Sequence, residues 1–395
     1  MKVALVHDYL VEYGGAERVL EELHSIFPEA PIYAAFLDLK GLGEFGSRVK
    51  EWNVKTSWLQ SLPFGRKLIS PFRIFAPKIF EGFDLKAYDV VISSCAVYFS
   101  KAVITRPGAL HISYIHTPPR YLYGYTTSFN YKKHWWTRII GETMNHFLRI
   151  FDFQTSQRPD ILVANSKNIA ERIKKFYRRE AVVIYPPVEI GNFTIRHPRL
   201  DRGSINNADL MDSRLRGNDR EKKYFLSLSR LVRGKGVDVI VRACTELGVP
   251  LKVVGRGPEL ENLKRIAGKK VQFLGQVKDE EIGVLYANAK ALIVASEDED
   301  FGITAVEAQA AGTPVIAVKK GGYLESVIEG KTGVFFVGDS VQRTGDSLVE
   351  VLKNFDEKKF KREDLIKNAE RFSKDRFKKE ILELINKSHH SVKIR

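Results

Sequence analysis

Short runs of Val, Ile, Leu and Ala alternate along the chain with longer stretches whose apolar residues recur every three to four positions. Consecutive apolar residues suit strands buried on both faces, and the longer period suits helices that pack by one side. The alternation therefore predicts βα units around parallel sheets. Two series emerge. The first places strands at Lys2–Val6, Ile32–Ala35, Asp89–Ser93, Leu110–Ile115, Ile161–Ala164 and Val182–Ile184. The second places them at Tyr224–Leu228, Leu251–Val254, Val271–Leu274, Ala291–Ala295, Val315–Val318 and Val334–Val337, enough for a complete doubly wound domain.

Between the series stands Tyr185-Pro186-Pro187-Val188, where two prolines stiffen the backbone and remove two amide donors. A hinge is expected there. The expected organisation is an N-terminal Rossmann-like domain over 1–188, a second over 189–370, and a C-terminal helix over 371–395 packing back on the N-terminal domain. Residues 196–223 are polar, charged and free of aromatics, which predicts a disordered insertion. Within it, Met211–Asp219 resembles a peptide that arises where dispersed bacterial repeat DNA is translated inside unrelated proteins. Towards the end, Phe360, Leu365, Ala369, Phe372, Phe377, Ile381 and Leu384 recur at helical spacing and predict amphipathic helices.

Composition narrows the chemistry. Among 395 residues, 63 Lys and Arg stand against 48 Asp and Glu, a net charge of +15, so part of the surface should prefer anions. Cys95 and Cys244 alone offer neither a disulfide framework nor a cysteine metal site. The opening MKVALVHDYL is too short and too polar for a secretory signal, and no long uncharged apolar run suggests a membrane span. A cytoplasmic setting is expected. Between Arg48 and Phe80, Arg48, Lys50, Lys55, Arg66, Lys67, Arg73 and Lys78 interleave with Trp52, Trp58, Phe64, Phe72, Ile74, Phe75 and Phe80. That mixture suits peripheral attachment to an anionic membrane surface, with Tyr131–Trp136 adding to it. No nucleic-acid signature accompanies it, so nucleic acid is not an expected partner.

The candidate site residues fall at the carboxyl ends of predicted strands, the edge where open α/β sheets bind ligands. After the first strand, Gly14 and Gly15 open a helix whose amides can face an anion. The spacing is not the dinucleotide GxGxxG, so a nicotinamide enzyme loses support. In the second series, Glu297-Asp298-Glu299-Asp300-Phe301-Gly302-Ile303 leads into a helix that ends near Gly312. Amides of Phe301, Gly302 and Ile303 at that helix start can bind a phosphate or a sugar hydroxyl, and Glu299 and Glu307 can accept hydrogen bonds from vicinal hydroxyls. Arg230 and Lys235 flank the turn after the strand ending at Leu228, where they can neutralise a departing diphosphate. His116 follows the fourth strand and is held by Pro118 and Pro119; its imidazole can donate a hydrogen bond to a sugar. His7 and His111 are read as structural.

The run Glu299–Glu307 resembles the E-x7-E signature of retaining GT-B glycosyltransferases of family 4. Asp298-Glu299-Asp300 also has the form of a DxD metal motif, which the helix-start context disfavours. The resemblance extends to Arg230 and Lys235, matching the pair that grips the donor diphosphate. It includes Gly255 in Val253–Leu260, and Gln276 and Val277 after the following strand, which line the base pocket. His116-Thr117-Pro118-Pro119-Arg120-Tyr121-Leu122 resembles most the O-antigen and polysaccharide mannosyltransferase branch. What the resemblance implies is an α/β GT-B fold, two Rossmann-like doubly wound domains facing across a cleft. It implies a metal-independent hexosyltransferase without cofactor, acting between a nucleotide diphosphate sugar, with GDP-mannose as the guess, and a polyprenyl-linked or growing saccharide of a cell-surface polysaccharide. Catalytic roles would fall to His116, Glu299, Arg230 and Lys235. Donor binding would fall to Gly14, Gly15, Arg230, Lys235, Gly255, Gln276, Val277, Glu299, Phe301, Gly302, Ile303 and Glu307. A nucleotide-sugar epimerase and a noncatalytic glycan- or nucleic-acid-binding protein are the competing readings.

Overall fold

A computed structural model describes residues 1–62, 71–125, 135–191, 224–338 and 341–392. The expected insertion at 196–223 lies outside the described residues, as do Phe64, Arg66, Lys67 and Tyr131–His134. Two compact units divide the chain. One comprises Met1–Val188, Asp298–Ile303 and Phe372–Arg395, the other Glu189–Glu297 and Thr304–Arg371.

Among the described residues, the first unit holds a seven-stranded parallel sheet in the order β3-β2-β1-β4-β5-β6-β7. Its strands are β1 Val3–His7, β2 Ile32–Ala34, β3 Val54–Thr56, β4 Val90–Cys95, β5 Leu110–Ile115, β6 Ile161–Ala164 and β7 Val182–Val183. The central strands β1, β4 and β5 are buried at every position, so each face of the sheet must be covered. Leu5, Ile92 and Tyr114 pack on one face with Leu20, Leu23, Phe377 and Ile381. Ala4, Val6 and Val91 pack on the other with Phe80, Tyr98 and Phe99. The C-terminal helix Lys374–Val392 thus seals this sheet with Phe377, Ile381 and Ile385. Burying each such aliphatic or aromatic side chain contributes about 1.5–3 kcal/mol.

Among the described residues, the second sheet has six parallel strands in the order β10-β9-β8-β11-β12-β13. They are β8 Tyr224–Leu228, β9 Leu251–Val254, β10 Val271–Gly275, β11 Ala289–Val294, β12 Val315–Val318 and β13 Gly333–Phe336. In both sheets the chain winds outward one way and then the other, so the order reverses between β1 and β4 and between β8 and β11. The carboxyl edge at such a reversal is where open α/β sheets commonly bind ligands.

The expected β1 to β13 series lacked one member. β3 is only Val54-Lys55-Thr56 at the sheet edge, partly exposed, and too short to show a period. Among its described residues, the basic and aromatic segment 48–80 mixes buried and exposed rings. Phe80 is fully buried, and Trp52 packs on the core and stacks on His24 with ring centroids 4.4 Å apart. Trp58, Ile74 and Phe75 remain exposed. No described helix is long and apolar enough to cross a membrane.

Candidate functional site

In the first unit, the register of β1 against β4 sets His7 beside Ser94, and β5 delivers His116 one residue past its last pair. The His116 amide donates to the Cys95 carbonyl at 2.8 Å, and Asn165 Nδ2 donates to the His116 carbonyl at 2.9 Å. Its imidazole Nε2 lies 2.8 Å from Ser94 Oγ, which lies 3.0 Å from His7 Nδ1. His7 Nε2 in turn lies 3.4 Å from Glu17 Oε1. Burial, with a smaller contribution from the field of His7, pushes the His116 imidazole down to about 3. His116 is therefore a neutral ring at physiological pH. Burial likewise raises both thiols, Cys95 and Cys244, to about 12, which leaves them unreactive.

Gly14 and Gly15 start the helix Gly15–Ile26, with the Gly14 amide donating to Glu17 Oε2 at 2.9 Å. A Cβ on Gly15 would come within 3.2 Å of Ile303 Cδ1. A side chain at position 15 would need the end of Ile303 to give way by a few tenths of an ångström. Between these turns, Asp8 organises the loop after β4. Its Oδ2 accepts from the amides of Ala96, Val97 and Tyr98, each at 2.8 Å, and Oδ1 accepts from Ser100 at 3.0 Å. Asp8→Asn must turn an amide NH2 towards at least one of these N–H groups. We expect it to lower the stability of the first unit by about 1–3 kcal/mol, read from urea unfolding. An unchanged midpoint would refute this role.

The loop Asp298–Ile303 groups with the first unit, held by residues that sequence reasoning had not assigned. Arg120 Nη2 donates to the Asp298 carbonyl at 2.7 Å and to Asp300 Oδ2 at 2.8 Å. Arg172 Nη1 reaches Asp300 Oδ1 at 3.3 Å, Ser166 Oγ donates to the Asp300 carbonyl at 2.6 Å, and Asn168 Nδ2 to the Glu299 carbonyl at 3.2 Å. Desolvation raises the Asp300 carboxyl above its ordinary value, while Arg120 and Arg172 pull it back. Asp300, the last acid of the DxD-like triplet, is thus engaged by two guanidiniums. The Phe301 ring is buried between Tyr185 and Phe372, with centroids 5.4 and 5.0 Å away. Gly302 has φ of 91°, a left-handed conformation that favours glycine. Glu299 is half-buried beside it.

In the second unit, three backbone turns converge at the carboxyl edge. A Cβ on Gly255 would lie 1.9 Å from the Ser229 carbonyl oxygen, one on Gly257 2.1 Å from that of Leu231, and one on Gly236 2.4 Å from that of Ala295. Such distances admit glycine alone. Leu231 N donates to the Arg256 carbonyl at 2.8 Å and Gly255 N to that of Gly275 at 2.7 Å, joining the turns after β8, β9 and β10. Arg230 and Lys235 emerge from this frame, with Arg230 exposed and Lys235 half-buried. Gln276 is exposed and Val277 packs partly on the core. Glu307, on helix Ile303–Ala310, is buried, and Tyr286 donates its hydroxyl to Glu307 Oε2 at 3.0 Å. Tyr286 therefore fixes the direction of that carboxylate, a role its place in the sequence did not announce.

Residues 13–191 match the model of Glycosyltransferase Family 4, and residues 212–372 that of Glycosyl transferases group 1. The chain belongs to glycosyltransferase family 4. It is 30% identical over 256 residues to the D-inositol 3-phosphate glycosyltransferase of Corynebacterium urealyticum, covering 60% of this chain and 58% of that one. It is 36% identical over 149 residues to the GDP-mannose-dependent alpha-(1-6)-phosphatidylinositol monomannoside mannosyltransferase of Mycobacterium tuberculosis, covering 33% of this chain and 39% of that one. The matched stretches thus span between about two fifths and three fifths of these curated relatives. Among solved structures, Anabaena HepE in complex with UDP-glucose aligns over 98% of this chain and 100% of its own, with a TM-score of 0.65 at 18% identity. At that identity the likeness concerns the fold, and the two parallel sheets of this family member are of the GT-B class.

Proposed function

We propose that this chain is a retaining, metal-independent hexosyltransferase that moves a sugar from a nucleoside diphosphate to a hydroxyl of a lipid-linked or growing saccharide. The observation that carries the reading is the glycine-welded frame of the second unit, where Arg230 and Lys235 leave the carboxyl edge of β8 among turns built from Gly236, Gly255 and Gly257. Two cations there can offset the charge that grows on the leaving diphosphate as the glycosidic bond breaks. The buried and oriented Glu307 supplies an acceptor for ribose hydroxyls, and Glu299 one for the hexose. Phe301, Gly302 and Ile303 offer the amides that begin the helix, and the reading keeps Gly14, Gly15 and His116 as sugar-binding residues of the first unit. Gln276 and Val277 line the base. No nucleophile is assigned: the acceptor attacks from the face the diphosphate leaves, and a donor phosphate oxygen takes the proton.

Mannose as the sugar and GDP as the carrier rest on the names of relatives and on the His116–Leu122 run. A role in cell-surface polysaccharide synthesis and peripheral attachment to the inner membrane face rest on the same run and on exposed Trp58, Ile74 and Phe75 with their basic neighbours. A thermal-shift panel with GDP-mannose, UDP-glucose and other nucleotide sugars tests the reading. One donor should raise the melting temperature of the wild type, and the shift should vanish in Lys235→Ala. No shift with any donor, in a folded sample, would overturn it.

A further inference from the structure

A hydrogen-bonded chain runs through the buried edge of the first sheet: Gly14 N, Glu17, His7, Ser94, His116. We propose that Glu17, His7 and Ser94 fix His116 as the tautomer with Nε2 protonated and Nδ1 bare, so that the ring offers the substrate a hydrogen-bond acceptor. The inference deepens the reading of His116 as a sugar-facing residue and rests on it. It also reverses the polarity expected from the sequence, in which His116 donates.

The number of protons along the chain sets its direction. Glu17 is a carboxylate and only accepts: Oε2 takes the Gly14 amide at 2.9 Å, and Oε1 faces His7 Nε2 at 3.4 Å. With one proton on the His7 ring, that proton sits on Nε2, and Nδ1 is left as an acceptor. Ser94 has a single hydroxyl proton, which goes to His7 Nδ1 at 3.0 Å. Its oxygen then accepts, and the partner at 2.8 Å, His116 Nε2, carries the proton. Every link has one donor and one acceptor in this direction only. His116 Nδ1 remains as a lone pair with no hydrogen-bond partner among the described residues. A bare ring nitrogen repels phosphate oxygens and carboxylates, so the group it recognises is a hydroxyl of the hexose rather than the donor diphosphate. Glu17, His7 and Ser94 are positioning residues, acting through His116.

Glu17→Gln makes the test sharp. The Gly14 amide still needs an acceptor, so the new amide oxygen faces Gly14 and its NH2 faces His7 Nε2. That reverses each link: His7 becomes protonated at Nδ1, Ser94 donates to His116 Nε2, and His116 is protonated at Nδ1. Two-bond proton–nitrogen correlation spectra of the full chain with 15N-histidine, at pH about 8 where an ordinary imidazole is neutral, read the tautomers directly. Both rings should be Nε2-protonated in the wild type and Nδ1-protonated in Glu17→Gln. An Nδ1-protonated His116 in the wild type, or the same tautomer in both proteins, would overturn the proposal. Should Glu17→Gln fail to fold, Ser94→Ala removes the acceptor of the His116 Nε2 proton, whose exchange with water should rise about tenfold or more; unaltered exchange also overturns it. With the donor named by the thermal-shift panel, Glu17→Gln should lower kcat about tenfold or more with donor affinity little changed. Reversed tautomers with an unchanged kcat would uphold the relay and remove His116 from the sugar, whereas loss of donor binding in Lys235→Ala is read independently of both.

Discussion

Lowering the pH from 6 to 5 should cost the first unit about 2 kcal/mol through two histidines, His111 and His116. Both are buried neutral: desolvation first, with Arg158 and Arg179 adding to it at His111 and His7 at His116, pushes each from 6.5 down to about 3. Between those values the unfolded chain binds a proton at each ring and the folded unit does not, so stability falls as pH falls. The contribution is complete above about 6.5 and is gone near 3, at on the order of 1.4 kcal/mol per pH unit per ring in between. All four tryptophans fall within the residues of the first unit, and Trp52 packs on its core, so fluorescence follows its unfolding without the second. This matters because a chain of two units need not unfold in one step. His111→Gln keeps a hydrogen-bonding side chain near Ser93 Oγ, the present partner of His111 Nε2 at 3.0 Å, and removes one titrating ring. Its stability should lose about half as much of that term over the same interval. Parallel wild-type and variant curves would show that the buried ring is not the source.

These histidines also mark where the sequence stops being legible. Strand β5, Leu110–Ile115, and strands β8, β9 and β12 stand where apolar runs predicted them, because burial on both faces leaves an unbroken signature. The helix after Gly14 and the one beginning at Ile303 were legible from glycine and acid placement. Which histidine joins His116 was not. His7 and Ser94 are neighbours only through the register of β1 on β4, a pairing 87 residues apart in sequence. Tyr286 is 21 residues from Glu307 and reads as one more apolar position of the helix Asp279–Ala287. Arg120 sits inside a run that carried the family resemblance, yet its bond to Asp300 spans 180 residues. Periodicity encodes which face is buried. Pairing between side chains on different elements is a property of the assembled sheet edge.

Lys101→Met should be the most damaging substitution at a residue outside the proposed donor site, lowering the stability of the first unit by about 3–5 kcal/mol. A lysine in the run Phe99-Ser100-Lys101-Ala102 reads as a surface residue, but its side chain and that of Asp152 are both 0% exposed. Lys101 Nζ donates to Asp152 Oδ1, Tyr123 donates its hydroxyl to Asp152 Oδ2 at 2.7 Å, and the rings of Phe99 and Tyr177 face the ammonium at 5.2 and 5.3 Å. Burial disfavours the ammonium, and Asp152 more than compensates, so the lysine stays charged. Exposed pairs such as Lys264–Glu261 are screened by water and are worth roughly 0–1 kcal/mol. In the interior the asymmetry is larger: removing one partner strands the other charge without water. The double variant Lys101→Met/Asp152→Leu removes both charges and fills the space with apolar atoms, so it should recover most of the loss. Tryptophan-monitored urea midpoints of the two single variants and the double close the cycle. A double variant as unstable as the sum of the singles would mean that packing, rather than a stranded charge, sets the cost.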